Sequence, residues 1–433
     1  AGQAGGTNWG LALCAETILD AISTFPVSAQ LNQTFNTKPY TQKLIPGAFL
    51  PVASIDDGPY ELAKTTIVKS SLYGMLGPVL TKPAHLKPFV KDGVTKDPMT
   101  IGVQKAGANL PTMDSDILHQ CAMDVFLKLS EGLEEPLRVI SVEEACRGVP
   151  GDDLRNPISS ATSTGYGWDR HGMKGKSYYL GTNGFDPEAP GFHELEEACH
   201  EMVEKLKRGE DVDTLALDCL KDERRPIEKV EAGKTRVFTV LPMDLNVVFR
   251  QYFMDALVHT RRNRIKNGIC VGLNVWGDDW EQFYQHLTSV GTDYCGDGDF
   301  ANLDGTLSDK ILWEICWIMN QLYDDEHSEV RKMLWQRLVY CTRHYRGTVY
   351  QCTHSLPSGI FGTSDFGSMY LLIAFRYIWM TTAPAEFRTL KQFNENVRLG
   401  TYGDDNIWSV TPPVAAFWSN QWLEAGYASI GMT

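Results

Sequence analysis

The chain lacks long apolar runs, paired metal-binding cysteines and any excess of positive charge. No apolar stretch reaches the ~18 residues that would read as a membrane span. No basic segment followed by an apolar one opens the sequence as a secretory signal would. None of the ten cysteines forms Cys-x-x-Cys, which argues against zinc ligation and a disulfide framework and fits a reducing compartment. Most of them read as free buried thiols. A formal net charge of −14 excludes a generic nucleic-acid coat but not a protein with a local basic channel. No internal repeat is visible.

What is present is the composition of a globular protein able to bury a large core: 433 residues, 43% hydrophobic and 22% charged. Basic residues gather at Arg170, Lys174 and Lys176, over 221–236, and at Arg261, Arg262, Arg264 and Lys266. Each group also reads as a solvated face. Residues 1–60 differ from the rest. A Gly-rich opening and a short apolar stretch give way to a segment rich in Pro, Gln, Asn and Thr, which reads as a tail and linker. Beyond it, apolar spacing predicts helices over 114–133, 192–208, 246–265, 308–323, 328–344 and 363–379, the last apolar on most sides. Strands are predicted over 235–241 and 292–295, with 345–353 β-rich and 397–410 a hairpin. Small strands packed on helices define an α+β layer.

Two acidic signatures about 100 residues apart carry the chemistry: Gly298-Asp299-Phe300-Ala301-Asn302-Leu303-Asp304-Gly305 and Thr401-Tyr402-Gly403-Asp404-Asp405-Asn406. Asp299 and Asp404 each end or follow a run that reads as a buried strand. Carboxylates brought together by neighbouring strands repel each other unless a divalent cation lies between them. Hard oxygen ligands suit Mg²⁺ or Mn²⁺. Two such ions, roughly 3.5–4 Å apart, stabilise the attacking and leaving oxygens of an in-line phosphoryl displacement. That is the chemistry of nucleotide polymerisation. Taken singly, Asp-x4-Asp is usually a solvated loop and Gly-Asp-Asp is often a turn. Together, in this order and with apolar flanks, they point to a metal site.

Three further segments add to that reading. In the block 221–236, Lys234 and Arg236 are two apart at the start of a strand, hence on one face. Cations there suit a triphosphate, Arg offering a planar fork and Lys a point charge, although a salt-bridged surface hairpin has the same pattern. Ser358, Gly359, Gly362 and Thr363 open the apolar helix with backbone freedom and hydroxyls near its N-terminus, suited to a ribose or a template backbone, or simply to a capped start. Residues 162–168 followed by Lys174-Gly175-Lys176 mix hydroxyls, aromatics and bases, which suits a single strand or any surface loop.

In their order along the chain these segments resemble the RNA-dependent RNA polymerases of picorna-like positive-strand RNA viruses, over about residues 65–433. The resemblance implies a right-hand α+β fold of fingers and palm, the palm an antiparallel sheet packed on helices, with 61–290 mainly fingers and 291–433 mainly palm. It implies that Asp299 and Asp404, with Asp405 alongside, are catalytic and ligate two Mg²⁺ (or Mn²⁺) ions. Asp304 would recognise the ribose 2′-OH, because a site built to bond a hydroxyl rejects the analogue without it. Lys221, Arg225, Lys229, Lys234 and Arg236 would contact the incoming triphosphate. Ser358, Gly359 and Thr363 would guide template and sugar, and Thr162, Ser163, Gly165 and Tyr166 the arriving template. The implied partners are RNA template and primer, ribonucleoside triphosphates, a peptide primer and other viral replication proteins. The implied place is the host cytoplasm, in membrane-associated replication complexes.

Two departures from the family pattern stand out. Gly367 occupies the position, four residues after Thr363, where the family usually has Asn. The ending Gly431-Met432-Thr433 resembles the start of the motif that carries a general-acid lysine, so a fragment without its thumb, doubtful in activity by itself, is expected. At the other end, residues 1–12 resemble the last strands of the chymotrypsin-like cysteine protease encoded upstream in such polyproteins. Residues 1–24 are then a protease tail, and 25–60 a linker with a cleavage site after Gln30 or Gln33. Two other functions share parts of the pattern. A reverse transcriptase is opposed by Asp304 and by Gly403 before the paired acids. A non-catalytic RNA-binding fragment of a protease–polymerase precursor is opposed by intact Asp299, Asp404, Lys234 and Arg236.

Overall fold

The computed structural model describes residues 49–55, 63–107, 109–169, 171, 175–300 and 303–432. Helices α1 (Pro98–Gln104), α2 (Ser115–Ser130), α3 (Phe192–Lys207), α4 (Met243–Arg262), α5 (Asp309–Leu322), α6 (Ser328–Val339) and α7 (Thr363–Thr382) carry most of the core. Some of these helices start on side-chain caps. The Asp114 carboxylate accepts from the Asp116 and Ile117 amides at 3.0 Å, and the Ser308 hydroxyl accepts from Lys310 N at 3.3 Å. Helix α7 is buried continuously from Asp365 to Trp379, as expected of a helix that is apolar all round. Its one buried acid, Asp365, receives Nε and Nη2 of Arg261 at 2.7 and 2.6 Å, tying α7 to the end of α4.

The larger sheet contains β1 (Phe49–Ser54), β5 (Ala216–Leu220), β7 (Val237–Val240), β9 (Thr342–Tyr345) and β10 (Thr348–Cys352), in the order β1-β10-β9-β5-β7. All its pairs are antiparallel except β5 with β9. The smaller sheet places β11 (Val397–Tyr402) beside β12 (Asp405–Val410) and β12 beside β8 (Cys295–Gly298), all antiparallel. Helix α7 packs against β11, so the α+β expectation and the antiparallel sheet on helices both hold. Two short antiparallel ladders pair β2 (Thr81–Pro83) with β6 (Arg224–Pro226) and β3 (Phe89–Lys91) with β4 (Val94–Lys96).

Three sequence expectations need correction. The strand before Asp299 is Cys295–Gly298, not 292–295, and it is mostly exposed rather than buried. Gly296 and Gly298 bring no apolar surface, and β8 is an edge of its sheet. The helix from Ser328 ends at Val339, and the β-branched and aromatic residues beyond it pair as β9 instead of running helically to 344. Within the expected linker, residues 49–54 form a strand on β10, from Phe49↔Cys352 to Ser54↔Thr348. The protease-like residues 1–24, Gln30 and Gln33 lie outside the described residues. Among the described residues, no helix is long and apolar enough to cross a membrane.

Candidate active site

The β11–β12 hairpin carries Asp404 at its tip. Its register runs from Val397↔Val410 to Tyr402↔Asp405, leaving Gly403 and Asp404 as a two-residue loop. Gly403 takes φ +64°, a conformation glycine adopts without a Cβ penalty. On the other side of β12, Asn406 is opposite Gly298, and its amide donates to Gly298 O at 3.0 Å. Asp299 therefore follows directly on a strand end held one position from Asp405. The hairpin is seated on α7: Gly403 N donates to Ser368 Oγ at 2.9 Å, and a Cβ on Gly367 would stand 3.2 Å from Gly403 Cα.

Asp299, Asp404 and Asp405 line one wall of a cavity of about 800 Å³, and Arg225, Lys229, Arg236 and Lys105 line another. Burial, and then the charges of Asp404 and Asp299, raise the Asp405 carboxyl above its ordinary value. On the basic wall, burial and then Arg225, Lys234 and Lys229 lower the Lys105 ammonium. The cavity thus separates a cluster of mutually repelling acids from a cluster of mutually repelling bases. A polyanion accompanied by cations satisfies both.

The acid wall fits hard divalent ions. Its donors are carboxylate oxygens, and their mutual repulsion is what a cation relieves. Among the described residues, no three His, Cys, Asp or Glu side chains surround a common point. An open carboxylate face suits Mg²⁺, which keeps several waters and relies on one or two carboxylates plus substrate phosphates.

The other expected residues are placed unevenly. Ser358 and Thr363 line the cavity with the acids, but their hydroxyls already have partners. Thr239 N donates to Ser358 Oγ at 3.2 Å, and Thr363 Oγ1 donates to Ile360 O at 2.7 Å. Gly359 is outside the lining; its carbonyl accepts from Asn246 Nδ2 at 3.2 Å. Lys234 and Arg236 are both exposed, with Thr235 buried between them, yet only Arg236 reaches the cavity, and neither Lys221 nor Lys234 lines it. The Asp304 side chain lies outside the described residues, as does Lys174.

Thr162, Ser163, Gly165 and Tyr166 form a separate loop that does not line the cavity. Lys176 Nζ donates to Thr162 Oγ1 and to Ser163 O, and the Tyr166 ring meets His344 edge-on with centroids 5.5 Å apart.

Several residues of the site escaped the sequence reading. Lys105 comes from the turn after α1 and has no motif around it. Glu223 draws in three of the expected cations. Arg236 Nε donates to it at 2.6 Å and Arg236 Nη2 also bonds it, while Arg225 and Lys221 each approach to 3.7 Å. The Arg236 hydrogen bond is the main reason the Glu223 carboxyl lies below its ordinary value. The alternation of acids and bases in 221–236 was the only signal for this cluster. Behind the cavity, Asp218 accepts from Thr239 Oγ1 at 2.7 Å and from Tyr350 Oη, and burial raises its carboxyl.

The family model for viral RNA-dependent RNA polymerases matches residues 73–433. The chain belongs to that family. It is 34% identical over 387 residues to the replicase polyprotein of Cricket paralysis virus, covering 83% of this chain and 22% of that polyprotein. It is 28% identical to the replicase polyprotein of Acute bee paralysis virus, covering 100% of this chain and 24% of the relative. This polymerase-family chain therefore spans about a quarter of the length of those curated relatives. Among solved structures, a sicinivirus RNA-dependent RNA polymerase shares its fold, with a TM-score of 0.69, 21% identity, 87% of this chain and 74% of that one covered. Family membership favours neither the reverse transcriptase nor the non-catalytic fragment.

Proposed function

We propose that this polymerase-family chain forms the centre of a viral RNA replicase that transfers ribonucleotides to an RNA 3′-OH under the direction of an RNA template. The observation that carries the reading is that Asp299, Asp404 and Asp405 line one cavity together with Arg225, Lys229, Arg236 and Lys105. The basic wall receives the triphosphate, with the Arg236 guanidinium exchanging Glu223 for phosphate oxygens. The acid wall faces the α-phosphate and the primer 3′-OH, which lie between the two. The 3′ oxygen forms its bond to the α-phosphorus as the bond to pyrophosphate breaks, and the hydroxyl proton leaves to solvent or base. Two Mg²⁺ or Mn²⁺ ions held by Asp299, Asp404 and Asp405 supply Lewis-acid stabilisation of the attacking and leaving oxygens.

Asp304 selects the ribose, the 162–166 loop guides the template, and Lys221 and Lys234 extend the basic surface outside the cavity. Residues 61–290 act mainly as fingers and 291–433 mainly as palm. Replication takes place in the host cytoplasm, on membranes, with other viral proteins.

Primer extension on an RNA template with Mg²⁺, using the full natural polypeptide that contains this chain, tests the reading. Ribonucleotide addition abolished by Asp404→Ala supports it. RNA binding without addition in the unsubstituted protein overturns it.

A further inference from the structure

Ser368 and Gly367 lie on α7 directly beneath the turn that carries Asp404, and the roles given above to the site residues do not use them. Ser368 is fully buried. A serine hydroxyl has one proton to give and lone pairs to receive with. The shortest contact takes the proton: Ser368 Oγ donates to Ser364 O, one helical turn back, at 2.7 Å, with Thr401 O more distant at 3.3 Å. A lone pair remains to accept Gly403 N–H at 2.9 Å. That amide belongs to the two-residue loop, outside the β11–β12 ladder, so Ser368 supplies the partner a part-buried N–H requires.

Gly367 adds a steric limit. A Cβ there would lie 3.2 Å from Gly403 Cα and 3.4 Å from both its carbonyl carbon and oxygen. The helix backbone and the turn backbone therefore meet with no side chain between them. One contact pulls the turn down onto α7, and the other lets it come down that far.

We propose that Ser368 is a positioning residue for the Gly403-Asp404-Asp405 turn, setting the height of the two acids over α7, with the bare face of Gly367 as the complementary requirement. This rests on the polymerase reading of the site for its catalytic consequence, but not for the contact itself. Ser368→Ala leaves Gly403 N–H without its acceptor and frees the turn to rise. Gly367→Ala pushes the same turn by a few tenths of an ångström through its backbone.

The test uses the full natural polypeptide and two readouts. In single-turnover nucleotide addition, Ser368→Ala and Gly367→Ala each slow the step about tenfold while nucleotide KM and RNA affinity stay within about twofold. The double variant loses less than the product of the two, because both act on one element. In amide hydrogen exchange, Gly403 in Ser368→Ala exchanges about tenfold faster or more, while α7 and β11 keep their protection. Unchanged addition, or a loss that comes with general deprotection of α7, overturns the proposal. If the unsubstituted protein adds no nucleotide yet the local exchange result holds, the polymerase reading fails and the positioning contact stands.

Discussion

On the acid wall, Asp299, Asp404 and Asp405 form no ion pair with any described cation, and Asp405 is raised by burial and then by its acid neighbours. On the basic wall, Arg236 and Arg225 converge on Glu223, joined by Lys221 from outside the cavity, with Arg236 bonded through both Nε and Nη2. The acids are fixed through the main chain that carries them, by a hairpin register and by the Asn406 and Ser368 side chains bonded to Gly298 O and Gly403 N. The bases are carried on long side chains, and two of them, Arg236 and Arg225, share the single acid Glu223. The contrast assigns different work to the two walls. The acid wall brings like charges together with no described cation paired to them, so a bound cation displaces no ion pair there. On the basic wall Arg236 and Arg225 share Glu223, so a phosphate that binds them exchanges one anion for another, which tunes affinity rather than creating it.

The largest expected effect breaks the acid wall. Asp404→Ala slows nucleotide addition by on the order of 10²–10³-fold or more, the scale of removing one preorganised electrostatic stabiliser, with the melting temperature unchanged or higher because one repelling carboxylate is gone. Single-turnover extension and thermal unfolding measure the two together.

A buried cation with no acid partner among the described residues sharpens the contrast next. Burial pushes Lys176 from 10.5 down to about 8. Below about 8 the folded and unfolded chains both hold this proton, and the folded chain bears the cost of a buried charge. Between about 8 and 10.5 the unfolded chain holds more protons, so stability rises with pH. A gain on the order of 3 kcal/mol is expected across that window in the unsubstituted protein and not in Lys176→Met, by denaturant unfolding at a series of pH values.

Within the basic wall the effects are smaller. Arg236→Ala raises the nucleotide KM roughly tenfold, the cost of one charge-assisted contact, and leaves the rate at saturation nearly unchanged. Glu223→Gln does the reverse: by freeing Arg236 it lowers KM about two- to threefold at low salt, an advantage that fades as ionic strength rises. If Glu223→Gln raised KM instead, Glu223 would be holding Arg236 in place rather than competing for it.

Helices α2, α3, α4 and α7 were legible because apolar spacing acts over neighbouring residues, with the Asp114 cap marking the start of α2. The hairpin was legible because Gly403 marks its loop. The run after Val339 was not, since its residues serve a helix or a strand equally until β10 pairs with them. The strand at 49–54 was hidden in a segment whose composition reads as linker, because its partner is about 300 residues away. The same locality limits the site. Asp299 and Asp404 announce themselves through glycine-flanked acids, whereas Lys105 joins the basic wall from a position more than 100 residues before Arg225. The hydroxyls of Ser358 and Thr363 looked available as residue types and are engaged as atoms.

The strand leading to Asp299 has a consequence beyond chemistry. β8 is the outer strand of its sheet, and an unpaired strand edge invites another chain to add to it. Its sequence, Cys295-Gly296-Asp297-Gly298, is poor material for such growth, because glycines weaken strands and an outward carboxylate repels a like neighbour. The glycines that let the Trp408 and Asn406 side chains lie against this strand also guard the molecule against stacking on copies of itself.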